Sequence, residues 1–458
     1  MDAAYELSNF IVNTRFADLP QEAIDVAKKE VLDVLAIALG GSRDKAVREL
    51  YGLVKEWGGR EESTVIALGG RVPSPNAALV NSTMSNVLDY DDTHERGHLH
   101  AGIVVVPSAF AVSEAKGAVS GRDFIEAICV AVELGCRLGM ATQLARPIFM
   151  GGWCNASLFG YFTSAAVAGK ILNLDEQKMH NALGIAYAQA SGNTQANEDG
   201  ADSKRIGRGF AARGGITSAL MAQRGITGAK NIFDESERSF YNLYHAGCNR
   251  DTLLKDLGKK FEMSDMSFKP YPCCRLNHCF IDAITKLVKD NKIEAEEVEE
   301  IVPFTCKPVY EELCLPVQIK TKPKSMLNAQ FSLRWTIACG VVRKRVGVSE
   351  FTEEALKDRT LLNMAAKVNP VLDSSLPDEL AFTKIKVRTK RGIFEINTDY
   401  TLGSVQNPMN FEDIEKKFID CAAFSARPIR KERLTQVTHM VKNLEDVKNI
   451  EEIIYLLA

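Results

Sequence analysis

No apolar run in this 458-residue chain approaches the roughly 18 residues that a membrane-spanning helix needs, so no helical membrane span is expected. A secretory leader is not expected either: Asp2 and Glu6 stand where such a leader would be basic and then apolar. An excess of one charge is also missing. Lys and Arg number 56 against 59 Asp and Glu, a net charge of −3, which leaves no electrostatic footprint for nucleic acid or an anionic membrane. Any positive potential must be local, inside a pocket. There is no internal repeat, no low-complexity tract and no pair of C-x-x-C motifs. Eleven cysteines, an odd number, then read as reduced and mostly buried thiols, and the expected location is cytoplasmic.

What is present is the composition of a globular protein, 46% hydrophobic and 25% charged. The length exceeds a single hydrophobic core, which stops growing near ~250–300 residues, so two domains are expected. The first half reads as helix after helix. In PQEAIDVAKKEVLDVLAIALGG, Pro20 suits a first turn, apolar residues recur at Ile24, Ala27, Val31, Leu35 and Ala38, and Gly40-Gly41 can end the helix. SPNAALVNSTMSNVLD repeats the signal, with Ser74 as N-cap and Pro75 first. Further helices are expected near Gly121, Ala156, Asp175 and Arg208, rich in Ala and Gly that let backbones approach. The texture changes after Met263: EEIVPFTCKPVY and the pair AFTKIKVRTK and GIFEINTDY read as strands, the pair joined by a tight turn near Arg391-Gly392. Helices intervene at FIDAITKLVKDNK and TEEALKDRTLLNMAAKV and return at FEDIEKKFIDCAAF and VKNLEDVKNIEEIIYLL. The fold class so read is mainly α: an all-helical domain over 1–262 and 400–458, and a smaller α+β lid domain over 263–399.

Three segments could carry chemistry. Asp89–His100 (DYDDTHERGHLH) holds three of the seven histidines. It reads as a solvated loop, as a metal site built from His98, His100 and the Asp91/Asp92 pair, or as an acid/base and substrate loop. Asp202–Ala212 places Lys204, Arg205 and Arg208 just before an Ala/Gly-rich helix; they suit a carboxylate or phosphate, or are merely solvated. Phe268–Cys279 holds Cys273, Cys274, His278 and Cys279. Adjacent cysteines do not easily share one tetrahedral zinc, and a lone His opening a helix is more often structural.

In this order, NSTMSNVLDYDDTHERGHLHAGIVVVPSAFAVSEAKG, GGWCNASLFGYFTSAAVAGKILNLDEQ with ALGIAYAQASG, SKRIGRGFAARGGITSALMAQRGITG, YPCCRLNHCFIDAI, AQFSLRW and GSVQNPMNFEDIEKKF resemble the MmgE/PrpD family over nearly the whole chain. That family includes 2-methylcitrate dehydratases, cis-aconitate decarboxylases and iminodisuccinate epimerases. The resemblance implies a large helical domain from both chain ends with an α+β lid, a homodimer, and no metal or organic cofactor. It implies a lyase-type enzyme acting on a small di- or tricarboxylate by proton transfer next to a carboxylate, as a dehydratase, with epimerase and decarboxylase as alternatives. Family active-site positions match Asp89, Thr93, His100, Lys204 and His278. His100 or His278 would be base and the other acid, Asp89 would orient an imidazole, and Thr93 would bind substrate. Lys204 and Arg208, with Arg205, would clamp carboxylates. His98, Cys154 and Trp335 complete the expected substrate-binding set. The sequence departs from the family pattern at His100-Ala101, where His-Pro is common, at Cys154 and Gly207, where histidines are usual, and at Arg334-Trp335, where Pro and Tyr are. Two readings of another class stay open: a metal-dependent hydrolase and a non-catalytic carboxylate-binding protein.

Overall fold

The computed structural model describes residues 1–143, 152–376, 383–398 and 400–458. The chain divides into two compact units. The first takes Met1–Val87, Asp91–Ser267 and Asn410–Ala458; the second takes Phe268–Met409 with the tripeptide Leu88–Tyr90. Among the described residues no helix is long and apolar enough to cross a membrane.

Among the described residues the regular strands of the first unit, which is otherwise helical, are two short ribbons, Ser63–Thr64 with Arg71–Val72 and Thr142–Gln143 with Gly247–Cys248. Helix α1 (Gln21–Gly41) is buried along most of its length, and Pro20 stands outside it as the N-cap residue. It ends where a Cβ on Gly41 would lie 2.2 Å from the Met84 carbonyl oxygen, so glycine is what lets α1 meet α2 (Ser74–Asn86) there. Ser74 does not cap α2. Its hydroxyl goes to the Glu62 carboxylate at 3.3 Å, and the helix begins one residue earlier than its sequence suggests, after Pro73. Next come α3 (Gly102–Lys116), α4 (Gly121–Met140), α5 (Asn155–Leu158), α6 (Gly160–Ile171) and α7 (Glu176–Tyr187). The helices expected near Gly121 and Asp175 form, and Ser120 and Asp175 cap α4 and α7. Helix α8 (Ser203–Gln223) packs against α2, α3, α6 and α7 and forms the centre of the unit. Small residues make this possible: a Cβ on Gly215 would lie 2.4 Å from Ser164 Cβ.

In the second unit, α9 (His278–Asp290) covers a four-stranded sheet of β1 (Val298–Thr305), β2 (Val371–Leu372), β3 (Thr383–Thr389) and β4 (Gly392–Thr398), with α10 (Leu333–Arg343) packed on α9. The order is β2-β1-β3-β4, with β1 and β2 parallel and the other pairs antiparallel. Strand β3 buries Thr383, Ile385, Val387 and Thr389 and turns the residues between them outward, the period-two pattern of a half-buried strand. Its last pairing with β4 is Thr389 with Gly392, so the hairpin turn is Lys390-Arg391. The expected strands also run through Ala381, Phe382 and Asp399, which lie outside the described residues. The expected helix 352–368 shortens to Arg359–Ala365, because Asp358 accepts from the Thr360 N–H and starts the helix there. The chain then returns to the first unit with α11 (Phe411–Ala422), opened by a capping box of Asn410 and Asp413.

Candidate active site

Residues 91–101 of the first unit connect to α3 through a tight fold-back. Thr93 and Ser267 exchange two backbone hydrogen bonds of 2.8 Å, and His94 and Leu99 exchange two of 2.8 and 3.3 Å. The three histidines of this stretch separate by environment. His94 is fully buried; its Nδ1 accepts from the Gly97 N–H at 3.0 Å and its Nε2–H donates to the Glu262 carbonyl at 3.2 Å. Burial, with the Arg96 charge beside it, lowers its pKa to about 4, so it is a neutral structural imidazole. His98 occupies the turn at φ 47° and is exposed. His100 is 28% exposed by side chain. Its Nδ1 lies 2.5 Å from the Asp92 carbonyl oxygen, 3.4 Å from Asp91 Oδ2 and 3.3 Å from Thr93 Oγ1. Nδ1 therefore carries the hydrogen and Nε2 is the basic nitrogen.

Asp92 closes the same loop onto α3: Oδ2 accepts from the N–H groups of Ala101 (2.9 Å) and Gly102 (3.1 Å). A Cβ on Gly102 would lie 2.8 Å from Asp92 Oδ1 and 3.0 Å from Glu30 Oε2, so glycine there admits two carboxyl groups. Neither Glu30 oxygen, nor Asp92 Oδ1, meets a hydrogen-bond partner among the described residues. Burial and the neighbouring charge of Asp91 raise Asp92 to about 7 despite the two N–H groups. Burial, Asp92 and Asp33 raise Glu30 well above the carboxylate range. Asp33 is compensated: Lys417 of α11 places Nζ 2.6 Å from Asp33 Oδ1, both side chains buried.

The cations expected before a helix lie within it. Helix α8 starts at Ser203, which puts Lys204 and Arg208 one turn apart on one face, 7% and 9% exposed. Arg205 points elsewhere and pairs with Asp44, the N-cap of the helix Lys45–Trp57. Arg208 Nη1 donates to the Lys204 carbonyl at 3.2 Å, while its buried Nε has no partner among the described residues. Half-buried Cys154 precedes α5, whose Ser157 N–H donates to the Cys154 carbonyl at 3.0 Å. Burial alone would raise the Cys154 thiol; Arg208, the N–H and hydroxyl of Ser157, and Lys204 outweigh it and hold the thiol below its ordinary range.

The second unit holds a different set. Asp89 has φ 50°, and Lys269 Nζ donates to its carbonyl at 2.9 Å and lies 3.4 Å from Oδ2. Gln330 fixes the same tripeptide through the Leu88 carbonyl (2.7 Å), and Tyr90 reaches the Pro270 carbonyl (2.8 Å). His278 is wholly buried; Nδ1 faces Arg275 Nη1 at 3.3 Å and Nε2–H donates to the Cys273 carbonyl at 3.1 Å. Burial, then the charges of Arg275 and Lys269, push its pKa well down, which makes it a neutral imidazole. Burial raises Cys274 to about 12 and Cys279 to about 11, so these thiols stay protonated. Among the described residues no three His, Cys, Asp or Glu side chains converge as metal ligands.

Comparison with known proteins decides the family. The MmgE/PrpD N-terminal domain matches residues 5–251 and the MmgE/PrpD C-terminal domain matches residues 271–443. The chain belongs to the MmgE/PrpD family. It is 26% identical to the cis-aconitate decarboxylase-like protein oryM of Aspergillus oryzae, covering 99% of this chain and 96% of that protein. A cis-aconitate decarboxylase of Aspergillus terreus is 26% identical with 99% and 95% covered, and that of Homo sapiens 25% with 96% and 91%.

Within this MmgE/PrpD architecture, mainly α with a small sheet-bearing C-terminal region, the expected residues divide between the units. Thr93, His98, His100, Cys154, Lys204, Arg205 and Arg208 belong to the first, and Asp89, His278 and Trp335 to the second. Thr93 and His100 come together, as do Lys204 and Arg208, whose charges act on Cys154. Trp335, expected at the substrate, is a core side chain: it is fully buried among Cys273, Ile281, Cys339 and Phe351, and its Nε1–H donates to the Glu350 carbonyl at 3.1 Å. The carboxylate found at His100 is Asp91, which the sequence offered only as half of a metal-ligating pair with Asp92, because two adjacent aspartates cannot be told apart until one of them, Asp92, accepts from the N–H groups that open α3. Sequence reasoning missed Lys269 and Arg275, which carry no pattern distinguishing them from solvated cations.

Proposed function

We propose that this MmgE/PrpD member is a lyase-type enzyme acting on a small di- or tricarboxylate by moving a proton at the carbon next to a carboxylate. The observation that carries this reading is the buried Lys204–Arg208 pair, one helical turn apart, with an Arg208 N–H that has no partner among the described residues. Such a pair suits a carboxylate, which accepts charge-assisted hydrogen bonds and, on losing a neighbouring proton or CO₂, spreads negative charge towards them. His100 supplies the acid/base group. Its Nδ1–H is held by the Asp92 carbonyl and the Asp91 carboxylate, which leaves Nε2 to take or return a proton, with Thr93 at its side.

Relatives named cis-aconitate decarboxylases, matched over 91% or more of their length, favour decarboxylation of an unsaturated tricarboxylate as the first reaction to assay. Dehydration and epimerisation share its proton transfer and differ in what leaves. The test is proton NMR of EDTA-treated protein in D₂O with cis-aconitate, citrate, methylcitrate, malate and iminodisuccinate. A new product, or deuterium next to a carboxylate, is the expected result. Silence that added zinc or manganese reverses would establish a metal-dependent enzyme instead. Silence under both conditions would overturn the lyase reading.

A further inference from the structure

Glu30 is a buried acid that the chemistry of His100 leaves unused. It lies on α1 at 0% exposure, and neither of its carboxyl oxygens has a hydrogen-bond partner among the described residues. An ionised carboxylate there would leave water with no donor to receive it, and a group so placed takes up a proton instead. That proton needs an acceptor. One stands beside it: Asp92 Oδ1, also buried and without a partner among the described residues. A single point brings the two oxygens together, since a Cβ on Gly102 would lie 2.8 Å from Asp92 Oδ1 and 3.0 Å from Glu30 Oε2. Asp92 leads on to His100 by two routes. Its Oδ2 accepts from the N–H groups of Ala101 and Gly102, the two residues that follow His100. Its backbone carbonyl oxygen lies 2.5 Å from His100 Nδ1.

We propose that Glu30 is a positioning residue for His100: as a neutral acid it donates its O–H to Asp92 Oδ1 beside Gly102, and so fixes the loop whose Asp92 carbonyl selects the His100 tautomer. The consequence for turnover rests on the reading of His100 as the acid/base group given above. An O–H donated to a carboxylate is charge-assisted and about twice as strong as a neutral hydrogen bond. It ties the loop to α1, a helix buried along most of its length, and the direction of His100 Nε2 follows from that tie. The other ionisable groups around the pair favour a shared proton. Asp33 and Asp91 add negative charge to it, Asp33 being met by Lys417 of α11 and Asp91 by His100. From α4 come Cys129 and Cys136, whose thiols stay protonated. Burial, then Asp92 and Asp33, raise Glu30 well above the carboxylate range. Below about pH 7 Asp92 is protonated too, and one acid still donates to the other. As pH rises past the raised value of Glu30 the last shared proton is lost, the two carboxylates repel, and the tie breaks.

The test follows the proton first and turnover second. Infrared difference spectra of the full chain in D₂O at pH 7 should show a protonated-carboxyl stretch that Glu30→Gln removes; no such loss would overturn the proposal. Heteronuclear NMR of the His100 ring, assigned by its disappearance in His100→Ala, should report the Nδ1–H tautomer in wild type. The same tautomer is expected in Glu30→Gln, whose NH₂ still donates to Asp92, and a mixture of both in Glu30→Leu. A single tautomer in Glu30→Leu would also overturn it. The Glu30→Gln spectra decide even where Glu30→Leu does not fold. On a substrate from the panel above, Glu30→Leu should lower kcat about tenfold with KM nearly unchanged, and Glu30→Gln should recover most of that loss. The alkaline limb of the kcat profile should move to higher pH in Glu30→Gln, which has no proton to lose in that range. An unmoved limb, or a loss in Glu30→Gln as large as in Glu30→Leu, would reduce Glu30 to a packing residue. The infrared and NMR readouts need no turnover, so a protein that passes both and converts nothing would refute the lyase reading and leave the Glu30–Asp92 pair standing.

Discussion

Asp92→Asn should make the protein more stable at alkaline pH while changing little at acid pH. The substitution keeps the shape and the cap: the Asn oxygen still accepts from the Ala101 and Gly102 N–H groups, and the new NH₂ lies on the side of Glu30. What it removes is a group that ionises at a cost. Asp92 moves from 3.8 to about 7 in the folded chain, first through burial and then through Asp91. Between those values the folded protein holds a proton that the unfolded chain has released, so stability falls as pH rises. The contribution of protonated Asp92 is fully present below about pH 4 and is lost as pH passes about 7. At ~1.4 kcal/mol per pH unit the ceiling is about 4 kcal/mol. Glu30 competes for the same proton, so about 2 kcal/mol is the expected difference. His94, lowered to about 4, and Glu133, raised to about 7, give slopes of their own; they are present in both proteins and cancel in the difference. Urea unfolding of wild type and Asp92→Asn at pH 5, 6, 7 and 8 measures it. The gap should widen in favour of Asn as pH rises. A gap that stays flat, or an Asn variant less stable at pH 8, would refute the reasoning and make Asp92 an ordinary ionised cap.

Lys417→Met should cost about 3–5 kcal/mol in the same urea assay, because it leaves Asp33 buried beside Glu30 without its 2.6 Å partner; adding Asp33→Asn should restore much of the loss. His100→Ala should lower kcat about 10²–10⁴-fold with the unfolding midpoint nearly unchanged, since the ring is partly exposed and its loop is fixed by backbone pairs. Trp335→Phe should lower stability by about 1–3 kcal/mol through the orphaned Glu350 carbonyl and a small cavity, yet leave kcat of the folded protein unaltered. A raised KM there would return Trp335 to the substrate.

Much of the local structure was legible because its causes are local. Helix α4 begins after Ser120 and α7 after Asp175 because a side-chain oxygen reaches N–H groups two or three residues on. Strand β3 shows its buried face in the alternation of Ile385 and Val387 with Lys384 and Lys386. Errors arose where a distant partner competed. Glu62 takes the Ser74 hydroxyl. The start of α8 lies five residues before its Ala/Gly-rich stretch, because Lys204 and Arg208 are held on its buried face.

The sequence by itself determined the family, the helix-rich class and the three segments from which candidate chemistry comes, since composition, periodicity and ordered landmarks are properties of the chain alone. Tertiary structure decided which side chain does what within each segment. Asp91 rather than Asp92 faces His100, because Asp92 is drawn to the N–H groups of Ala101 and Gly102. Arg208 rather than Arg205 stands with Lys204, because a helix brings residues four apart to one face and Asp44 claims the other. Trp335 belongs to the core, because Glu350 accepts its indole hydrogen there. Glu30 and Asp33 look like the solvated side of α1 until Lys417, almost 400 residues later, is folded against them. Charge, hydrogen bonding and burial act through space, and the positions they act on are not neighbours in the chain.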